Sequence, residues 1–412
     1  MTGTTSEPVD LTGPELTADP YGGYARLREQ APTVSASMFG APPMLLVTRY
    51  ADVRTVLTDP RFVNDPASAG EGPGGIREAM TAQLGIPEDL VDYLARSILN
   101  ADGDDHTRLR KLVSRAFTVR RVSALRPRVE EITAGLLDAL AREDTVDLVE
   151  AFCYPLPITV ICELVGIDEP ERPQWHEWGR VMSSMDPART PVALREMVDH
   201  VHDLISRRRA DPADDLITGL VQAQDDDGDR LSDRELVTMI IALVVAGHET
   251  TAHLLSNSVV SLLAHPGRLA ALRADPAGWP AAVNELMRLR GPVQFAQVRY
   301  ATEDVELGGT TIAAGTPVIP AILSANTDPR EFDDADGLDL ARETGRGEGH
   351  LGFGQGPHYC LGAALARQEA EVALRALFER FGDLRLAVPA SDLVWVPRPG
   401  FSRLAELPVR LA

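Results

Sequence analysis

Three cysteines occur in the chain, Cys153, Cys162 and Cys360, and the last is set where a sulfur could do chemistry. Residues 350–367 read H-L-G-F-G-Q-G-P-H-Y-C-L-G-A-A-L-A-R. Gly352, Gly354, Gly356 and Pro357 precede Cys360, and a helix-forming run over 363–378 follows it. Glycine permits positive φ and close backbone approach, and proline stiffens the turn. The loop therefore presents one sulfur at a helix N-terminus, where unpaired N–H groups and the helix dipole favour an anion. A thiolate there is stabilised and can act as a lasting ligand. Zinc would need further Cys or His ligands at short spacing; His350 and His358 are near, but no C-x-x-C exists. A nucleophilic cysteine would need a base and an oxyanion site, and His358 sits two residues away. Haem iron needs one protein ligand, and cysteine thiolate is one of its axial partners. A buried structural cysteine is the plain alternative.

Residues 353–362, F-G-Q-G-P-H-Y-C-L-G, resemble the F-G-x-G-x-H-x-C-x-G haem loop of the cytochrome P-450 family, a pattern too specific to recur readily by chance. The resemblance implies that Cys360 ligates the iron of haem b (iron protoporphyrin IX), with Phe353, Gly354, His358 and Gly362 against the cofactor. It implies a mainly α fold with a small β region: a single-domain, triangular-prism architecture over residues 1–412 with a long central helix.

Composition agrees with a helical globular chain. Of 412 residues, 44% are hydrophobic and few are aromatic, and Ala, Leu, Val and Arg dominate. The net charge, 40 − 61 = −21, makes nucleic acid a poor partner. Three cysteines are too few for a disulfide framework and fit a reducing compartment. Residues 1–20 are polar, without the basic and apolar regions of a signal peptide, and read as a loosely held arm. The longest central apolar run, 239–247, falls short of a membrane span. The expectation is a cytoplasmic protein, monomeric and free of membrane. No Pro/Gly/Ser linker divides the chain.

The remaining elements must position that sulfur and its substrate. Residues 21–30 and 50–58 read as helices and 44–48 as a strand. The pattern is weak over 62–100, where Gly70, Gly72, Gly74 and Gly75 predict a mobile loop; in the family this region lies over the substrate pocket. Residues 106–129 form a basic island: Arg108, Arg110, Lys111, Arg115, Arg120, Arg121, Arg126 and Arg128. His106 and Arg110, four apart, share one helix face and suit paired carboxylates. They match the family's H-x-x-x-R, which implies contact with haem propionates, the other basic residues facing out to dock an acidic electron-transfer protein. Helices follow over 130–141 and 151–165, with Cys153 and Cys162 as core packing. Residues 170–209 carry two helices joined around Pro187 and Pro191, the pocket's roof in the family. Acidic loops, D-P-A-D-D and D-D-D-G-D-R, flank a short helix over 216–223.

The longest helical pattern covers 232–263, opened by the capping box of Ser232 and Glu235 and about 45 Å long. In its middle lies A-G-H-E-T-T, 246–251. Gly247 in a helix interior costs up to about 1 kcal/mol, so a functional kink is expected there, with Glu249 and Thr250 polar among apolar neighbours. The motif resembles the family's A-G-x-D/E-T-T, which implies that Thr250 hydrogen-bonds the reacting oxygen, that Glu249 relays protons and that Ala246 lines the pocket. His248 occupies the free position and receives no role. Glu285 and Arg288 form E-x-x-R; with Arg342 they match the buried structural network that supports the haem loop in the family. Residues 293–312 read as strands with a turn at Gly308-Gly309. The resemblance implies that Arg299 meets a propionate and that 292–297, including Val293 and Phe295, touch substrate. Thr327 stands where bacterial members commonly carry arginine. Residues 396–401 read as a β-turn reaching back to the pocket.

Together the motifs imply a monooxygenase that inserts one atom of dioxygen. No flavin or iron–sulfur module is evident, so electrons are expected from a ferredoxin and its reductase. The expected substrate is a small molecule, a bulky apolar natural product such as a macrolide or other polyketide, hydroxylated or epoxidised in antibiotic biosynthesis. A haem-thiolate sensor without turnover would not need the Glu249-Thr250 pair. A non-haem enzyme using His358 and Cys360, or an atypical oxidation such as ring coupling or desaturation, are the other readings.

Overall fold

The computed structural model describes residues 7–70, 76–223, 228–343 and 347–411. The chain divides into two compact units. One comprises Met1–Met80, Asn284–Cys360 and Trp395–Arg403; the other comprises Thr81–Val283, Leu361–Val394 and Leu404–Ala412.

The first unit is built on a six-stranded sheet in the order Val9–Asp10, Thr33–Ser37, Met44–Val47, Pro317–Pro320, Arg299–Ala301, Phe62–Val63. Successive side chains of a strand point to opposite faces, and both faces here are buried. Val47 and Val318 pack with Val53, Val56 and Leu57 of the Tyr50–Thr58 helix. Leu46 and Ile319, each one residue out of phase, pack with Tyr24 and Leu27 of the Pro20–Gln30 helix. The register Leu46↔Ile319 fixes this division, because a one-residue slip would exchange the two sets. The segment expected as a loose arm is tied down from Val9 onward. Val9 pairs with Ala36, and Leu11 and Leu16 are buried, so two leucines in a polar stretch suffice to anchor it. A separate hairpin, Val305–Leu307 with Thr310–Ile312, turns through Gly308 at φ 58° and Gly309 at φ 81°, the positive pair that two-residue hairpins favour.

The second unit is helical around Asp233–Ala264, opened by the Ser232–Glu235 capping box. By length and composition this helix could cross a membrane, but 67% of its most apolar stretch is buried inside the fold. It packs against Pro155–Val165, Thr190–Ala210 and Ala363–Arg380. The helix runs without a break through Gly247. A side chain at Gly247 would approach Ile161 of the Pro155–Val165 helix to 3.3 Å, so the glycine serves close helix packing.

Other boundaries differ from the sequence expectation. The basic island is three helices, Gly103–Ala116, Val119–Ala124 and Arg126–Leu140, separated where Thr118 caps the second and Pro127 opens the third. The weak pattern over 62–100 contains the helices Ile76–Gln83 and Glu88–Ala95, with Leu90 buried; Gly72, Gly74 and Gly75 lie outside the described residues, as do Asp225, Asp226 and Asp227. Arg172–Ser184 ends at Met185 in a left-handed conformation, and Pro191 sits in the first turn of Thr190–Ala210 rather than between the helices. Cys153 and Cys162 are buried in the core, and burial pushes the Cys162 thiol up to about 12.

Candidate active site

The backbone around Cys360 folds back on itself. Cys360 N donates to Phe353 O at 2.9 Å, Gly354 N to Leu351 O at 2.8 Å, and Tyr359 N to Gly356 O at 3.0 Å. Gly354 and Gly356 hold φ of 70° and 75°, which a side chain would strain. A Cβ on Gly356 would lie 2.7 Å from Leu57 O, and one on Gly352 2.8 Å from Met287 Cγ. The loop is thus seated closely on its neighbours at Gly352 and Gly356, ahead of Cys360. Asn64 Nδ2 donates to His358 Nε2 at 2.7 Å. Cys360 is half-buried, and the Ala363–Arg380 helix starts three residues later. Among the described residues no cluster of three or more His, Cys, Asp or Glu could hold a metal ion, which argues against a zinc set around this sulfur.

Behind the loop, Glu285, Arg288 and Arg342 come together. Arg288 Nη2 and Nε donate to the two Glu285 carboxylate oxygens at 2.7 and 2.8 Å, and Arg342 Nε donates to both at 3.1 Å. Arg288 also donates to the carbonyls of Asn326 and Ala335 at 2.7 Å and of Gly337 at 3.0 Å. Phe332 lies 5.0 Å from the Arg288 guanidinium. Removing one partner would strand a buried charge, so Glu285→Ala or Arg288→Ala should cost about 3–5 kcal/mol in urea unfolding. A loss below about 1 kcal/mol would show that the network does not support the fold.

His350 borders this network, with Nε2 at 3.0 Å from Asn284 Oδ1 and Nδ1 accepting from Gly352 N at 3.0 Å. Burial, with the Arg288 charge second, lowers its pKa from 6.5 to about 4. Between those values the unfolded chain binds a proton that the folded chain does not. This contribution is intact above pH 6.5 and is lost as pH falls, at about 1.4 kcal/mol per unit. From pH 7 to pH 5 the wild type should lose about 2 kcal/mol more unfolding free energy than His350→Gln; parallel losses would contradict the assignment.

Arg28 answers the departure at Thr327. Its Nη1 donates to Thr327 Oγ1 at 3.2 Å and Ser324 O at 2.7 Å, and Nε lies 3.7 Å from the Asp328 carboxylate. A guanidinium from a distant helix serves the place where the family commonly has a local one.

On the long helix the turn from Ala246 to Thr250 has an open face. Ala246 is exposed and Thr250 half-buried, in a helix buried along most of its length. Thr250 Oγ1 donates to Ala246 O at 2.8 Å, and Thr251 Oγ1 to Gly247 O at 3.1 Å. Glu249 is buried, with Oε1 3.5 Å from His253 Nε2. His248, given no role above, is fully buried against Tyr154. Neither His248 nor Tyr154 carries a sequence signal beyond its residue type.

His106 is buried and Arg110 half-buried one turn later on Gly103–Ala116. Several of the basic residues form ion pairs with acids of other helices and loops. Arg108 pairs with Glu235 and with Asp229 at 3.1 Å, Arg121 with Asp214 at 2.9 Å, Arg126 with Glu371 at 2.7 Å, and Arg128 with Glu163 at 2.7 Å. Lys111, Arg115 and Arg120 are exposed. In the first unit, Arg299 is buried on its strand. Val293 bridges to Phe401, and Gly400 lets Phe295 approach to within 2.9 Å of where a Cβ would stand. The turn over 396–401 therefore meets residues 293–295.

The family profile described as Cytochrome P450 matches residues 180–275 and 279–386. The chain is 44% identical to 6-deoxyerythronolide B hydroxylase of Saccharopolyspora erythraea, over 98% of each chain. It is 43% identical to cytochrome P450 monooxygenase PikC of Streptomyces venezuelae, over 99% of this chain and 96% of that one. Among solved structures, the cytochrome P450 PksS of the Bacillus subtilis bacillaene polyketide synthase aligns with a TM-score of 0.88 at 36% identity, covering 98% of this chain and 99% of that chain.

Proposed function

This chain is a member of the cytochrome P450 family and a monooxygenase, and from that premise we propose how its own residues divide the work. One observation carries the reading: a single half-buried sulfur, Cys360, on a loop whose turns need glycine at 354 and 356, just ahead of a helix N-terminus. That donor set fits haem iron, which needs one thiolate. Cys360 would hold the iron of haem b, with Phe353, Gly354 and Gly362 as the loop surface against it. His106, Arg110, Arg299 and His358 are the polar groups that would bind its carboxylates, as charged and hydrogen-bonding donors do. When bound, the haem supplies the chemistry by which dioxygen, two electrons and two protons yield one inserted oxygen atom and water.

The chain's remaining task is proton control. The Thr250 hydroxyl gives its own proton to Ala246 O, so its lone pairs stand ready to accept a hydrogen bond on the open face. Glu249, one residue earlier, is the carboxyl that takes up and hands on protons. Ala246, Val293 and Phe295 are small or apolar surfaces suited to substrate. The whole chain serves as one haem-thiolate domain, monomeric and cytoplasmic.

The substrate class is a polyketide, hydroxylated or epoxidised. Support comes from relatives whose names specify 6-deoxyerythronolide B and a bacillaene polyketide synthase. Two measurements test the reading on the purified holoprotein. The reduced, carbon-monoxide-bound form should show the red-shifted band that gives the family its name; a colourless protein would sink it. Polyketide lactones should shift the iron spin state, and indifference to all of them would redirect the substrate assignment.

Electrons come from a ferredoxin served by its reductase, docking on Lys111, Arg115 and Arg120. Charge reversal at Lys111 and Arg115 should slow reduction on the order of tenfold at low salt, while substrate affinity is unchanged. Stopped-flow reduction that is indifferent to both the substitutions and salt would place the partner elsewhere.

A further inference from the structure

Three helices of the second unit meet at His248. Its ring is fully buried, and Nδ1 lies 2.7 Å from Val244 O, so this nitrogen carries the proton and donates it. The other nitrogen, Nε2, then accepts from the Tyr154 hydroxyl at 2.9 Å. Burial pushes the His248 pKa down, in keeping with a neutral ring that has one donor and one acceptor nitrogen. Tyr154 stands just before the Pro155–Val165 helix, edge-on to His248 with ring centres 5.2 Å apart. Its other side lies 4.8 Å from the ring of His176, on the Arg172–Ser184 helix. Three residues on, Gly179 of that helix covers the pair. A Cβ there would lie 2.6 Å from His248 Nε2 and 3.2 Å from the Tyr154 hydroxyl.

At about 100° per residue, position 248 points away from positions 246 and 250. The open front of the helix is therefore backed by a pinned rear. The front needs such a pin, because threonine hydroxyls bonded to carbonyls four residues back tend to bend a helix, and Thr250 and Thr251 both do this.

We propose that Tyr154 and His248 are positioning residues whose hydrogen bond, sealed by Gly179, fixes the orientation of the turn that presents Glu249 and Thr250 and so sets how much electron flow ends in product rather than peroxide. The proposal rests on the monooxygenase reading for its catalytic consequence, but the pin itself can be tested apart from that reading. The test uses the holoenzyme and the variants Tyr154→Phe, His248→Leu, His248→Gln and Tyr154→Phe/His248→Leu. Deuterium uptake of the amides over 244–251 reports the pin, and peroxide formed per electron pair reports its consequence.

Tyr154→Phe should speed exchange in that turn by about tenfold and raise the peroxide share. His248→Leu should do the same. His248→Gln keeps an acceptor for the tyrosine and should stay within about twofold of the parent. The double variant should be no worse than either single, because both remove one interaction. Unchanged exchange in Tyr154→Phe would overturn the proposal, as would additive effects. So would a lowered melting temperature with an unmoved peroxide share, which is what a merely structural role gives. Failure of the monooxygenase reading would show separately, as a missing carbon-monoxide band in the parent.

Discussion

Cys360→Ala should bring oxygen insertion to background and abolish the red-shifted band of the reduced, carbon-monoxide-bound protein, while leaving the chain folded. The two outcomes separate because the residue's structural and chemical duties use different atoms. Its backbone N–H closes the loop on Phe353 O at 2.9 Å, and alanine keeps that bond. The side chain is half-buried rather than a core element, so its truncation should cost no more than about 1 kcal/mol. Without the thiolate, the electron push that favours O–O cleavage is gone. Cys153→Ser and Cys162→Ser should behave in the opposite way. Both thiols are fully buried, so a hydroxyl there destabilises the fold yet leaves the band in place. A Cys360→Ala protein that keeps the band would refute the ligand assignment.

Thr250→Ala should divert electrons to hydrogen peroxide. Oxygen and reductant would still be consumed, but product per electron pair should fall by about 10²-fold, the lower end of what a group positioned for proton transfer contributes. Thr250 Oγ1 is anchored on Ala246 O at 2.8 Å beside an exposed alanine, whereas Thr251 makes the same kind of bond to Gly247 O on a buried face. Thr251→Val should therefore leave coupling unchanged, and Thr250→Ser, which keeps the hydroxyl, should recover most of it. If Thr250→Ala is fully coupled, protons reach the reaction by another route.

What could be read in the residues was what local physics decides. The helix over 50–58, the capping box at Ser232 and the glycine hairpin at 308–309 all rest on contacts within a few residues. The cysteine loop was legible because its glycines are demanded by backbone conformation and close approach. What escaped depends on distant partners. Nothing near Arg126 or Arg128 announces that Glu371 and Glu163 will pair with them. Arg28 lies almost three hundred residues before Thr327, yet it binds that hydroxyl directly. Gly247 signalled only a weak helix former, and the close approach of Ile161 that its missing side chain permits came from the fold. His248 fills a position that a motif leaves free, and only the fold brings Tyr154 and Gly179 to it.

The most direct measurement is X-ray absorption at the iron edge of the purified holoprotein, with Cys153→Ser/Cys162→Ser and Cys360→Ala alongside. The account predicts one sulfur scatterer on iron in the parent and in the double variant, and none in Cys360→Ala. An iron site with only nitrogen and oxygen neighbours in the parent, or a sulfur signal that survives in Cys360→Ala, would contradict it.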